Sequence, residues 1–220
     1  MTTTTATLLS IACGYLCGSV PFGYLAGRLK GIDIRQHGSG NIGATNAIRV
    51  LGKEIGIPVF LLDMLKGWFP VWLAAGWIAH TGAEVEMVSM GKVLTGFAAV
   101  LGHMFTFWLG FKGGKGIATT GGVLAGVSPA GMLGGWIGFL TFLFAFRYVS
   151  LGSLAAAVGV PTAMAIQMYR EGRWDFVLLG FGLVVMVLAF VRHRSNIQRL
   201  IAGTESKAFV KKPANKPGDQ

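Results

Sequence analysis

The chain is short of charge, and above all of acid. Nine aspartates and glutamates stand against nineteen lysines and arginines, and charged residues make up only 13% of 220 residues. That supply is too thin to cover a water-soluble domain of this size, or to keep a chain disordered. Cysteine is scarcer still. The two present, Cys13 and Cys17, both lie inside an apolar run, which excludes a disulfide framework and a Cys/His metal cluster. They read as small residues facing lipid or a neighbouring helix.

Several catalytic signatures are missing as well. No histidine is followed five residues later by aspartate, so the His-x4-Asp pair of one common acyltransferase class is absent. There is no G-x-S-x-G elbow and no H-E-x-x-H pair, and neither a metal nor a cofactor is expected. The stretch GFKGGKGIATTGG, 110–122, invites comparison with a phosphate-binding P-loop, but Gly116 follows Lys115 where serine or threonine is required, and Leu109 stands where the first glycine should be. Nucleotide hydrolysis is therefore not expected.

What the chain has is hydrocarbon and glycine. Hydrophobic residues reach 53%, mean hydropathy is +0.60, and there are 34 glycines. Apolar runs close to the ~20 residues that cross a bilayer recur along it, and glycine lets such helices approach closely. The expected architecture is an all-α integral membrane protein of seven transmembrane helices, at 6–29, 55–80, 88–110, 117–129, 130–147, 150–169 and 174–191. Seven spans with the N-terminus outside and the C-terminus cytoplasmic gather every loop lysine and arginine on one face, except Arg170 and Arg173. Six spans would divide them almost evenly. The net charge of +10 thus reads as topology and not as a nucleic-acid surface. Residues 1–205 form one polytopic domain, and 206–220 form a polar, basic, flexible tail. No obligate protein partner is evident.

The seven-span arrangement brings three polar segments to the same face. GSGNIGATNAIR, 38–49, supplies short polar side chains in Ser39, Asn41, Thr45 and Asn46, the planar fork of Arg49, and a helix start near Ala44. The plain alternative is a surface loop with a helix cap. The second segment sets Lys115 among Gly113, Gly114 and Gly116, whose backbone N–H groups could curl around an anion. Its plain alternative is a basic anchor on a tight turn. The third, RHRSNIQRLIAGTE, 192–205, holds His193, Asn196, Arg199 and Glu205, with His193 and Asn196 on one helical face. Ser150 and Ser153 open the sixth span on this side. Asp63 and Lys66, within the second span, are expected to pair with each other, and His103 to make a polar helix contact. A transporter for anionic solutes is the rival class, but no repeated halves are found.

Taken together, GSVPFGYLAGR (18–28), GSGNIGATNAIR (38–49), LGHMFTFWLGFKGGKGIAT (101–119) and RHRSNIQRLIAGTE (192–205) resemble the bacterial acyl-phosphate:glycerol-3-phosphate acyltransferases. The likeness runs in order from about residue 14 to residue 205. One position departs, Thr106, where proline is expected in many relatives. The resemblance implies a seven-span enzyme of the bacterial inner membrane, with its site on the cytoplasmic face. Such an enzyme takes an acyl chain from acyl phosphate to the sn-1 hydroxyl of glycerol 3-phosphate, giving lysophosphatidic acid and inorganic phosphate. It also implies roles. Ser39 and Arg49 would grip the glycerol phosphate, and Lys115 and its neighbouring amides would serve phosphate and the departing charge. Ser153, or else Ser150, would add a hydroxyl, while His193 and Asn196 would place the glycerol oxygens.

Overall fold

The computed structural model describes residues 1–209, so 210–220, most of the expected tail, lie outside the described residues. Among the described residues, ten α-helices carry the fold. The first, α1 (Thr3–Ser19), runs into α2 (Phe22–Leu29) across a break at Val20 and Pro21. Proline has no N–H to continue the ladder, so the break strips carbonyls of their helical partners. Two of those oxygens are met from elsewhere in the bundle. Ser19 O accepts from the buried Thr106 hydroxyl, and Val20 O accepts from Lys66 Nζ at 2.7 Å. The threonine that departs from the expected proline thus ties the break down.

A loop with one 3-10 turn leads to the short helix α3 (Ala44–Leu51). Then come α4 (Lys53–Ala79), α5 (Val85–Met104), α6 (Ile117–Val127), α7 (Pro129–Phe146), α8 (Val149–Glu171), α9 (Phe176–Arg192) and α10 (Arg194–Ile201). Among the described residues, five segments are long and apolar enough to cross a membrane: Thr3–Leu29, Lys53–Ala79, Val85–Leu109, Pro129–Phe146 and Val149–Glu171. The pair α9 and α10, bent by 58°, makes a sixth if taken as one.

The stretch read as the fourth span behaves differently. Helix α6 has eleven residues, and at 1.5 Å per residue it covers only about half of a ~30 Å hydrocarbon layer. The reason lies in the loop before it. Gly113 and Gly114 donate their N–H groups back to Met104 O at 3.1 Å and His103 O at 3.0 Å, so the chain turns inward beside the end of α5. Helix α6 begins beside α5's last turns and starts well inside the bundle. Hydropathy marks this stretch as apolar and does not show the depth at which its helix begins.

Inside, small residues set the helix spacing. A Cβ on Gly14 or Gly18 of α1 would strike the backbone oxygens of Thr95 or Ala99 on α5. Gly134 of α7 and Gly159 of α8 face each other in the same way. Large apolar side chains such as Leu65, Trp72, Leu133, Phe144 and Val187 are exposed on the outside. An apolar exterior over a small-residue interior is the packing expected where lipid replaces water, because close van der Waals contact there replaces the hydrophobic effect.

Candidate active site

The loop 38–43 and the start of α3 make a self-supporting unit. Asn46, buried at 2% exposure, accepts from Ser39 N at 2.8 Å. Its amide nitrogen faces three carbonyls, Ile34 O at 3.1 Å, His37 O at 3.0 Å and Asn41 O at 2.9 Å. The Asn41 side chain accepts from Gly43 N at 2.9 Å. Both asparagines, expected as ligand donors, therefore spend their side chains on holding the loop. Ser39, Thr45 and Arg49 remain exposed on it.

The glycine loop 110–116 is built another way. With the Gly113 and Gly114 amides turned back onto α5, those two N–H groups are not free for an anion, contrary to the sequence expectation. Their carbonyls are gripped from the far side by Arg192, whose Nη2 donates to Gly113 O at 2.9 Å and Gly114 O at 2.8 Å. Gly116, at φ +85°, turns the chain into α6 with no side-chain cap. The first N–H groups of α6 are the backbone donors left at this corner. Lys115 leaves the loop there, half-buried.

Lys115 Nζ donates to Asn196 Oδ1. The rest of the Asn196 amide donates to Glu205 Oε1 at 2.7 Å, and that same oxygen accepts from the Ser150 hydroxyl at 2.8 Å. Arg199 Nε donates to Glu205 Oε2 at 2.6 Å. Glu205, expected among the substrate contacts, instead uses both oxygens on protein donors. Burial pushes its carboxyl up, but the bonds from Asn196, Arg199 and Ser150 outweigh this and hold it below the ordinary carboxylate range. Of the two serines, Ser150 reaches this cluster, whereas Ser153 donates back to Val149 O at 2.9 Å within its own helix. Residues past α10 hold Glu205 in place by crossing the turn between α7 and α8, where Ala208 N donates to Arg147 O at 2.6 Å.

His193 sits at the bend between α9 and α10, 2% exposed. Its Nδ1 lies 2.7 Å from Ala189 O. A carbonyl can only accept, so Nδ1 carries the proton and neutral His193 offers the Nε2 lone pair to a ligand.

Electrostatics bring the three sequence segments together. Burial lowers the Lys115 pKa to about 8; Glu205 pulls it upward, and Arg199, Arg192 and Arg49 push it down again. Each of those arginines is thus close enough for its charge to register on one ammonium. Beneath Lys115 an apolar groove runs between α4, α6, α7, α8 and α9, walled by Phe60, Met64, Ala118, Gly121, Trp136, Phe139, Ala157 and Val160. Lys115 is its one charged lining residue among the described residues. Nor do the described residues contain a group of three or more His, Cys, Asp or Glu able to hold a metal ion.

Sequence reasoning missed Arg192; nothing in the spacing of RHRSN marks it as a clamp on a loop nearly eighty residues away. It also passed over the partnership of Ser150 with Glu205.

A helical bundle with an apolar exterior, and a one-sided cationic site opening onto a hydrocarbon-lined groove, defines an integral membrane protein of the lipid-handling kind. A profile of the glycerol-3-phosphate acyltransferase family matches residues 8–203. The glycerol-3-phosphate acyltransferase of Geobacter sulfurreducens is 44% identical over 200 residues, covering 91% of this chain and 96% of its own. That of Chlorobium phaeobacteroides is 41% identical over 227 residues, with the same coverage of 91% and 96%. Crystal structures of PlsY (YgiH), an integral membrane glycerol 3-phosphate acyltransferase, are also similar. Its glycerol 3-phosphate form aligns with a TM-score of 0.79 at 39% identity, covering 91% of this chain and 94% of that one. Its lysophosphatidic acid form gives 0.77 at the same identity and coverage. The chain belongs to the glycerol-3-phosphate acyltransferase family.

Proposed function

We propose that this protein transfers an acyl chain from acyl phosphate to the sn-1 hydroxyl of glycerol 3-phosphate, releasing lysophosphatidic acid and inorganic phosphate without a covalent acyl-enzyme. One observation carries the reading: Lys115, bonded to Asn196 and under the charges of Arg49 and Arg199, stands at the mouth of the apolar groove. Both proposed substrates bring phosphate, and one brings a hydrocarbon tail. A cationic cluster joined to a groove accommodates both. The solved relative's glycerol 3-phosphate and lysophosphatidic acid forms support the acceptor and the product.

Acyl phosphate favours the absence of an acyl-enzyme. As a mixed anhydride it is already activated, and catalysis reduces to holding the hydroxyl against the carbonyl and stabilising the charge that builds there. The hydroxyl oxygen attacks the carbonyl carbon, the bond from that carbon to the bridging phosphate oxygen breaks, and phosphate departs. Lys115 and the uncapped N-terminus of α6 meet the growing negative charge. Ser39 and Arg49 hold the glycerol phosphate, and His193 Nε2 accepts from a glycerol hydroxyl. The attacking hydroxyl's proton passes to a phosphate oxygen of the substrate, since no carboxylate stands behind His193, whose Nδ1 is tied to a backbone carbonyl. The positive-charge bias favours seven spans, with this site on the cytoplasmic side of the inner membrane.

The deciding assay is phosphate release by the purified protein in detergent. Release that requires both acyl phosphate and glycerol 3-phosphate supports the reading, and lysophosphatidic acid formed from acyl-CoA and glycerol 3-phosphate alone refutes the donor. His193→Ala separates the proton acceptors. A loss beyond ~10³-fold that also erases the acid limb of the pH profile would move the base to histidine.

A further inference from the structure

Directly behind the glycine loop lies a second polar cluster, at 2%, 6% and 4% exposure for Asp63, Lys66 and His103. Asp63 Oδ1 is 2.7 Å from Lys66 Nζ, an ion pair and not a well-angled hydrogen bond, and 3.7 Å from His103 Nδ1. His103 Nδ1 has no hydrogen-bond partner. Ionisable groups at this depth are costly, and Asp63 with Lys66 would satisfy each other without a third member. An imidazole added there, in a place that leucine would fill at lower cost, calls for a task of its own.

We propose that His103 is a positioning residue for the acyl-transfer site, seating Gly114 so that the next residue, Lys115, reaches Asn196. A side chain at Gly114 would fall on the imidazole, 2.9 Å from Cε1, 3.1 Å from Cδ2 and closer still to Nε2. Absence of that side chain lets the loop rest on the ring. The His103 carbonyl accepts the Gly114 N–H at 3.0 Å, so the loop is seated by the residue's backbone and ring together. Arg192 holds the opposite side through the Gly113 and Gly114 carbonyls. The loop is pinched between an imidazole below and a guanidinium above, and Lys115 projects from the pinch. Asp63 stands 3.7 Å from the ring's Nδ1, and Lys66, bonded to Val20 O, anchors Asp63 to the break between α1 and α2. The proposal rests on the reading that Lys115 acts in the reaction.

The two glycines allow a specific test. At Gly114 the obstacle to a methyl group is the His103 side chain, whereas at Gly113 it is backbone, with Met104 C and O at 2.8 Å. Removing the ring can therefore relieve one and not the other. In steady-state assays with acyl phosphate and glycerol 3-phosphate, Gly114→Ala should lower kcat by about 100-fold, the scale of a small misplacement. Adding His103→Ala to it should restore kcat at least about tenfold, while the same addition to Gly113→Ala should restore nothing. His103→Leu, which fills the space without facing Asp63, should lower kcat about tenfold with the glycerol 3-phosphate KM within about threefold of wild type. Wild-type kcat in His103→Leu, or losses that simply multiply in the His103→Ala/Gly114→Ala pair, would overturn the proposal. Lys115→Met run alongside separates the two levels. If it keeps wild-type kcat, the site reading itself falls; if it is inactive while His103→Leu is normal, only the positioning role falls.

Discussion

The two loops that flank the site present similar glycine-rich sequences and stand by opposite means. The 38–43 loop is folded by its own neighbourhood. Asn46 ties it from within, and Ile34, Ile42 and Ala47 pack beneath it against Val59. The 110–116 loop has almost no internal bonding of this kind. Its Gly113 and Gly114 amides belong to α5, their carbonyls to Arg192, and the flank of Gly114 to His103. One loop is a module, and the other is a shape imposed by the assembled bundle. The first should fail locally and alone. The second should fail whenever any of its distant supports is altered.

The strongest way to probe that contrast is at the group the imposed loop delivers. Lys115→Met should lower kcat/KM by ~10²–10³-fold, the usual loss when one donor to developing charge is removed; a thermal-stability measurement should show the fold intact. Breaking the module comes next. Asn46→Ala leaves the Ser39 amide and three carbonyls without their partner, at roughly 1–3 kcal/mol for each buried group left unsatisfied. The expected result is a rise of about thirtyfold in the glycerol 3-phosphate KM with a smaller change in kcat, since the damage stays near Arg49. An equal fall in kcat would argue that the loops are coupled after all.

Arg192→Lys should cost less, about tenfold in kcat, because an ammonium reaches one carbonyl where the guanidinium fork spans two. A normal kcat would mean the loop keeps its shape without the clamp. The smallest effect is on pH. Lys115 is charged below its pKa of about 8 and neutral above it. The free-enzyme profile of kcat/KM should therefore fall on the alkaline side with a midpoint near that value, by about tenfold per pH unit beyond it. Bound phosphate favours the charged form, so the limb in kcat should lie at higher pH.

Much of this was legible in the sequence. Hydropathy located the long helices, and the three polar segments were marked by glycine and short polar side chains in an apolar chain. What sequence withholds is the direction of each hydrogen bond. Asn46 looks like a ligand donor until its four partners are visible, and the Gly113 and Gly114 amides look free until the chain is seen to turn back on α5. The same turn sets the depth at which α6 begins, and composition records that a stretch is apolar but not where it begins in depth. Arg192 and His103 were undervalued for a related reason. Their partners lie on other helices, and no periodicity along one helix points to them.

Glu205 stands near the end of the described residues, yet it knits Ser150, Asn196 and Arg199 into one cluster. A ribosome must therefore have synthesised the chain through this carboxylate before the cluster can form. A product truncated before Glu205 would insert into the bilayer without the finished cluster.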